Sequence, residues 1–171
     1  SPTPDPRPTI HDPRSTPHDP RPTTHDPRPQ PAITKEGRGE MRGAVQSYRD
    51  LDVYQKALDL QQEIFELTKR FPVEERYSLT DQIRRSSRSI GANISEAWAK
   101  RRYPLHFVSK LSDSAEECNE TEHWLRSGFL CMYYDQARFD ELLDQCTHIG
   151  AMLNRMMDNA DAWCHNCIPH G

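Results

Sequence analysis

The chain has 171 residues and a formal net charge of −4, and its 14 prolines are unevenly placed. Eleven of them lie between Pro2 and Pro31, where the fixed φ and the missing N–H of proline exclude a helix or a central strand. No run of about 18 apolar residues occurs, which excludes a membrane-spanning helix. The five cysteines lack a framework spacing and the N-terminus lacks an apolar signal region, so we expect a cytoplasmic protein.

Residues 1–40 form a proline-rich tail that repeats every seven residues. Aspartate recurs at positions 5, 12, 19 and 26, and arginine at positions 7, 14, 21 and 28. Because the repeat has no apolar positions for a coiled coil, we expect the tail to be extended and disordered. Three interpretations compete: a flexible tether, the product of a translated tandem DNA repeat, or a weak metal-binding array made by His11, His18 and His25.

The residues just before Met41 indicate where the native protein begins. Residues 36–40 read EGRGE, residue types with purine-rich codons such as a ribosome-binding site would give, and the chain opens at Ser1 rather than at methionine. We therefore expect the native protein to start at Met41. The tail carries six acidic and six basic residues, so residues 41–171 carry the whole charge of −4.

From Leu51 onward, apolar residues recur every three or four positions, which predicts helices and no sheet. Asp50 is the predicted N-cap of the first helix, which should end near Phe71 because proline follows. The second helix is predicted to start around Ser78, with Asp81 as a capping-box-like partner, and to end near Lys100. The predicted core stripe of the first helix is Tyr54, Ala57, Leu58, Ile64, Phe65 and Phe71.

Two more helices follow the second one. Pro104 is placed in the first turn of the third helix, whose apolar stripe runs from Val108 to Met132, and the fourth helix follows a turn near Tyr134. Helices of about 20–28 residues with short links favour antiparallel neighbours. The predicted fold class is therefore all-α: an antiparallel up-down-up-down four-helix bundle over residues 41–163, with a flexible tail at 164–171.

No catalytic motif is present, since the chain lacks a glycine-rich phosphate loop, a G-x-S-x-G and an H-E-x-x-H. Glu120 and His123 form one half of a di-iron motif, but the fourth helix has no second half. We therefore expect no enzyme activity, no cofactor and no metal. A zinc site is the alternative, and its ligands would be Cys164, His165, Cys167 and His170.

A cluster of basic residues is the most informative feature for function. Residues 84–110 contain seven bases and one acid, so this window carries about +6 while residues 41–171 carry −4. Such an asymmetry is typical of a localised phosphate-binding surface. The predicted nucleic-acid-binding residues are Arg84, Arg85, Arg88, Lys100, Arg101, Arg102 and Lys110.

A second interpretation assigns the arginines to helix or subunit pairing. The third helix carries an acidic run close by, and arginine–glutamate pairs between helices or protomers would account for both groups. Asn93 and Glu96 lie beside the apolar stripe of the second helix and would need buried partners, which Gln82 or Arg85 would supply only across a helix or subunit boundary.

The chain resembles the four-helix-bundle proteins encoded in intervening sequences of bacterial 23S ribosomal RNA genes. The opening YRDLDVYQKA at residues 48–57 and LTKRFP at 67–72 are similar to the family. Residues 79–97, LTDQIRRSSRSIGANISEA, resemble the pattern L-x-x-Q-I-R-R-A-x-x-S-I-x-x-N-I-x-E-G, and ECNETEHWL at 117–125 is similar to E-x-x-E-T-x-x-W-L. Ser86 and Ala97 stand where the family usually has alanine and glycine.

The resemblance covers about residues 47–160 and implies an antiparallel bundle, often a homopentamer, without enzymatic activity. Related bundles are accessory proteins to reverse transcriptases of diversity-generating retroelements, where they bind the enzyme and nucleic acid. We therefore expect a homo-oligomer that binds RNA, DNA or a nucleoprotein partner through the basic cluster. The alternative is a protein-binding accessory scaffold, for example to a reverse transcriptase. The resemblance assigns assembly or motif roles to Gln82, Asn93, Glu96, Glu120 and Trp124.

Overall fold

The computed structural model describes residues 45–164, so the repeat tail and most of the predicted C-terminal tail lie outside this range. This part of the chain is helical and contains no strand, which confirms the all-α prediction for it. Its long helices are α1 (Asp52–Thr68), α2 (Leu79–Ala99), α3 (Pro104–Leu130) and α4 (Gln136–Asp158). A short helix α5 (Ala160–Trp163) and 3-10 turns at Tyr48–Asp50 and Val73–Glu75 complete it.

The start and end of α1 differ from the prediction. The Asp50 carboxylate caps the preceding 3-10 turn instead of α1, because it accepts the N–H groups of Gln46 at 3.1 Å and Ser47 at 2.8 Å. Leu51 is the N-cap of α1 and makes no side-chain bond. α1 ends at Thr68, and the chain then tightens into 3-10 hydrogen bonds, so the predicted end near Phe71 is about one turn late.

The start of α2 is capped by a residue from the preceding loop. The Ser78 hydroxyl donates to the Glu75 carboxylate, which also accepts the Leu79 N–H at 3.2 Å. α2 begins directly after Ser78, as predicted, but the capping-box prediction is wrong, since the Ser78 side chain is a donor to Glu75 rather than an acceptor for the helix. Tyr133 also donates to Glu75, at 2.9 Å, and this bond ties the α1–α2 connection to the α3–α4 connection.

The turn after α3 contains a strained residue. The Met132 N–H bonds to the Phe129 carbonyl and the Tyr133 N–H to the Gly128 carbonyl, a pattern that closes a helix around a left-handed residue. Met132 takes that conformation, with φ of 59°, where glycine is usual. Its side chain is 88% exposed, so the prediction that Met132 belongs to the core stripe is wrong.

The core lies between the long helices. α1 packs against α2 and α4, and α3 packs against the same two helices. On α1, Ala57 and Ile64 are buried as predicted, but Val53 and Leu60 replace Tyr54 and Leu58 as the other core residues. The α2 stripe of Ile83, Ile90 and Ile94 is fully buried, and Phe107 on α3 joins it although the sequence pattern did not indicate it.

Small polar residues lie where α2 meets α3, and all of them are bonded. Ser114 donates to the Ile90 carbonyl at 2.9 Å, and Thr121 and Ser86 are bonded at 3.0 Å. Their small volume lets the two helices approach closely, and their bonds offset the cost of burying hydroxyl groups. None of the helices between residues 45 and 164 is long and apolar enough to cross a membrane.

Candidate nucleic-acid interface

Arg84 and Arg88 share one aromatic ring on the neighbouring helix. Their guanidinium carbons lie 4.8 and 5.8 Å from the ring centroid of Phe65 on α1. The Nε of Arg84 also donates to Thr68 Oγ1 at 2.7 Å. Within residues 45–164 neither guanidinium forms an ion pair with a carboxylate. Partial burial, and then the charge of Arg88, lower the pKa of Arg84. We call Phe65, Arg84 and Arg88 the arginine–phenylalanine face.

This face holds two like charges one turn apart, an arrangement that destabilises an isolated helix. Cation–π contact with Phe65 offsets part of that cost, and an anion bound between the guanidinium groups would offset more of it. The geometry therefore suits a phosphate, whose oxygens match the donor fork of arginine.

Arg85 has different neighbours, which belong to the residues that the family resemblance marks for assembly or motif roles. Its Nη2 donates to Gln82 Oε1 at 3.1 Å and lies 3.5 Å from Glu120 Oε1 on α3. Trp124 Nε1 donates to the same carboxylate at 3.0 Å. The structure thus brings Gln82, Arg85, Glu120 and Trp124 together within one chain. We call these four residues the α2–α3 clamp.

The positive charge of Lys110 is balanced by acidic residues on both sides. Its Nζ lies 3.0 Å from Glu96 and 3.0 Å from Asp113, and donates to Asn93 Oδ1 at 3.4 Å. Hydrogen bonds with Glu96 and Asp113 raise the pKa of Lys110. The prediction that Asn93 and Glu96 are buried is wrong: Asn93 is half-buried and Glu96 is exposed, and both have Lys110 of α3 as a partner.

Lys100, Arg101 and Arg102 lie where α2 ends. Arg101 stacks on Trp98, with its guanidinium carbon 3.2 Å from the ring centroid, and its Nε donates to the Trp98 carbonyl at 3.0 Å. Burial lowers the pKa of Arg101. Lys100 is half-buried and Arg102 is exposed. Three cations at a helix C-terminus interact favourably with the negative end of its dipole.

The seven predicted bases therefore form separate groups rather than one surface. Arg88 of α2 and Lys100, the residue after α2, are twelve positions apart, which corresponds to about 18 Å along the helix axis. Arg84 and Arg88 contact α1, whereas Arg85 and Lys110 pair with acids of α2 and α3. The sequence identified the bases but not Phe65 and Trp98, the aromatic rings that hold three of them. The signal in the sequence was their position: Trp98 lies one helix turn before Arg101, and Phe65 lies on the helix that precedes the one with Arg84 and Arg88.

An acidic cleft adjoins the α2–α3 clamp. It has a volume of about 290 Å³ and is lined by Asn93, Asp113, Glu116, Glu117 and Glu120. Burial, and then the neighbouring Glu120 carboxylate, raise the pKa of Glu117. Across residues 45–164, no group of three or more histidine, cysteine or acidic side chains is arranged to hold a metal ion.

The two metal motifs of the sequence have different outcomes. Glu120 belongs to the clamp, and the His123 ring packs edge-on against Trp124 at 4.7 Å, so both residues of the half-motif have other partners. Of the proposed zinc ligands, only Cys164 lies in the described range, where it is buried. His165, Cys167 and His170 lie outside it.

These features define an all-α protein with basic residues grouped at several places along α2 and just after it. The sequence pattern of the 23S rRNA-intervening sequence proteins matches residues 49–155, which is more than half of the chain. The chain therefore belongs to this family.

One solved structure is similar to this chain along most of its own length. It is a protein with unknown function from the S23 ribosomal protein family of Bacteroides thetaiotaomicron, 31% identical in sequence. The match has a TM-score of 0.57 and covers 62% of this chain and 95% of that one. No curated protein matches the sequence significantly.

Proposed function

We propose that the protein is a non-enzymatic, homo-oligomeric helical bundle that binds RNA through basic residues of α2 and of the α2–α3 connection. The observation that carries this proposal is the arginine–phenylalanine face. Two guanidinium groups lie over one ring there, without a carboxylate partner among residues 45–164. Lys100 and Arg102 add positive charge at the end of α2.

The order of the helix contacts supports an antiparallel up-down-up-down arrangement. Along α3, Lys110, Ser114 and Thr121 meet residues of α2 whose numbers fall from 93 to 90 to 86. The contact of Cys118 with Cys146 and that of Phe129 with Phe139 give the same opposite order for α3 and α4. In such a bundle the arginine–phenylalanine face runs along the α1–α2 groove.

Assembly into an oligomer would strengthen a weak interaction with RNA. One face with two arginines binds RNA weakly, but several copies of it on one ring bind with a gain from multivalency. The family resemblance suggests a pentamer. Exposed apolar residues at the α1–α2 and α3–α4 connections, Val73, Leu130 and Met132, are suited to contacts with another protein chain.

The experiment is the affinity of the oligomer for fragments of 23S ribosomal RNA, measured by fluorescence anisotropy. Reversing both charges of the face, with Arg84→Glu and Arg88→Glu, should weaken binding by more than about tenfold. Lys56→Glu with Arg126→Glu changes the net charge equally at exposed positions elsewhere and serves as the control. Equal affinities of the two double variants would contradict the proposal.

The alternative is a protein-binding accessory scaffold in which the arginines serve assembly. The observation that favours it is the α2–α3 clamp, where Arg85 already has an acidic partner, Glu120. If Arg85→Ala dissociated the oligomer while RNA binding proved absent, this alternative would be favoured. A reverse transcriptase encoded next to the gene would identify the accessory role.

A further inference from the structure

An exposed aromatic residue lies among the basic residues at the end of α2. Tyr103 is 58% exposed and Leu105, two residues later, is 85% exposed. Both belong to the segment 98–106, which we call the α2–α3 corner and which also carries Lys100, Arg101 and Arg102. From residue 97 to residue 112 the sequence has no acidic residue, and Lys100, Arg101 and Arg102 bring three positive charges to the corner.

The backbone at the corner holds Tyr103 in place without using its side chain. The Tyr103 carbonyl accepts the N–H groups of His106 at 2.9 Å and Phe107 at 3.0 Å, and its side chain makes no capping bond to α3. The His106 ring packs beside the phenol ring, with 5.8 Å between the centroids. The Arg101 guanidinium is stacked on Trp98. The Tyr103 ring is an aromatic surface that is largely open to solvent.

A large exposed aromatic ring gains stability when a flat ligand covers it and removes its faces from water. Nucleobases are such ligands, and stacking of a base on an aromatic ring tolerates any base because each has a π face. A base within a duplex is already stacked on its neighbours and is not accessible to the ring. An exposed tyrosine flanked by basic side chains therefore fits an unpaired nucleotide: the nucleobase would cover the ring, and the phosphates would lie beside the cations.

We infer that the α2–α3 corner binds unpaired nucleotides, with a base stacked on Tyr103 and the adjoining phosphates next to Lys100 and Arg102. This inference rests on the proposed RNA binding and adds the class of substrate: single-stranded segments such as loops rather than continuous duplex. The arginine–phenylalanine face would contact the backbone in either case, because phosphate contacts do not depend on pairing.

The test compares two probes, an oligouridylate of about 12 nucleotides and an RNA duplex of about 12 base pairs, with the full-length protein. Tyr103→Ala should lower the affinity for oligouridylate by about tenfold and leave that for the duplex unchanged. Tyr103→Phe keeps the ring and should bind like the wild type. Tyr77→Ala is the matched control, because Tyr77 is 85% exposed in the α1–α2 connection, away from the corner.

The outcomes separate this inference from the proposed function. Equal effects of Tyr103→Ala and Tyr77→Ala on oligouridylate, or an equal loss of duplex affinity in Tyr103→Ala, would overturn the assignment of the corner. Wild-type binding to the duplex alone would overturn it too, while RNA binding itself would stand. A wild-type protein that bound neither these probes nor ribosomal RNA fragments would contradict both proposals.

Discussion

Arg84 and Arg85 are adjacent in the sequence, but their guanidinium groups lie on different sides of α2. Arg84 contacts Phe65 and Thr68 of α1, whereas Arg85 reaches Glu120 of α3. Successive side chains of a helix are rotated by about 100°, so two neighbours face different partners. Arg85 therefore helps to join α2 to α3, and it is Arg84 to which the proposed function assigns the contact with an anion.

Arg85→Ala should affect stability more than RNA binding. Its ion pair with Glu120 is largely exposed, 65% on the arginine side, so we expect the free energy of unfolding to fall by no more than about 1 kcal/mol. RNA affinity should stay close to that of the wild type. Urea denaturation and RNA titration of the same preparation measure both quantities. A large loss of affinity with unchanged stability would show that Arg85 contacts the RNA.

Two glycines should respond to alanine with opposite signs. A Cβ on Gly128 would lie 3.0 Å from Tyr134 Cε1, and that ring is fixed because its hydroxyl donates to the Leu125 carbonyl. A Cβ on Gly150 of α4 would meet no atom within 4 Å. Gly150→Ala should therefore stabilise the protein by about 0.5–1 kcal/mol through helix propensity, and Gly128→Ala should destabilise it. Thermal unfolding of both variants measures this, and a gain in both would show that Tyr134 moves aside.

Met132→Gly should raise the free energy of unfolding by about 1 kcal/mol, because glycine adopts a φ of 59° without a Cβ penalty. Met132→Ala is the control, since it removes the exposed side chain but keeps the Cβ. It should leave stability nearly unchanged in urea denaturation. If the alanine variant were stabilised as much as the glycine variant, exposure of the methionine and not backbone strain would be the cause.

Glu75→Gln should change the acid stability of the protein. Hydrogen bonds from Ser78, Tyr133 and the Leu79 N–H lower the pKa of Glu75 from its ordinary value of 4.5. A carboxyl with a lowered pKa stabilises the folded state above the ordinary value, and this contribution is lost as the pH falls through the lowered one. The wild type should therefore exceed Glu75→Gln in stability at about pH 7.

The difference between the wild type and Glu75→Gln should shrink steadily below pH 4.5. Denaturation midpoints over a series of pH values measure it. Glu74→Gln, at the exposed neighbouring position, is the control and should follow the wild type. A pH-independent difference between Glu75→Gln and the wild type would mean that the carboxylate charge plays no part in the cap.

The sequence predicted the helices better than their ends. The spacing of Ile83, Ile90 and Ile94 identified the buried side of α2, and Pro104 correctly marked the first turn of α3. The caps were wrong because short 3-10 turns precede α1 and α2: Asp50 caps the first turn instead of α1, and Glu75 of the second turn accepts the first N–H of α2. Local patterns do not contain this information, since the partners of a loop carboxylate depend on how the loop folds.

The same reason limits what the sequence says about the candidate interface. Composition identified a basic segment, but which bases have acidic partners depends on the alignment of α2 with α3. That alignment places Lys110 between Glu96 and Asp113 and Arg85 beside Glu120. Net charge over a window therefore overestimates the cations that a phosphate can reach.

The central claim, that Arg84 and Arg88 bind RNA phosphates while Arg85 does not, is tested most directly by the salt dependence of binding. The logarithm of the affinity falls linearly with the logarithm of the salt concentration, with a slope of about 0.7–0.9 for each neutralised phosphate. Arg84→Gln with Arg88→Gln should reduce this slope by about that amount for each phosphate that is no longer neutralised, and Arg85→Gln should leave it unchanged. The same slope in the wild type and both variants would contradict the account.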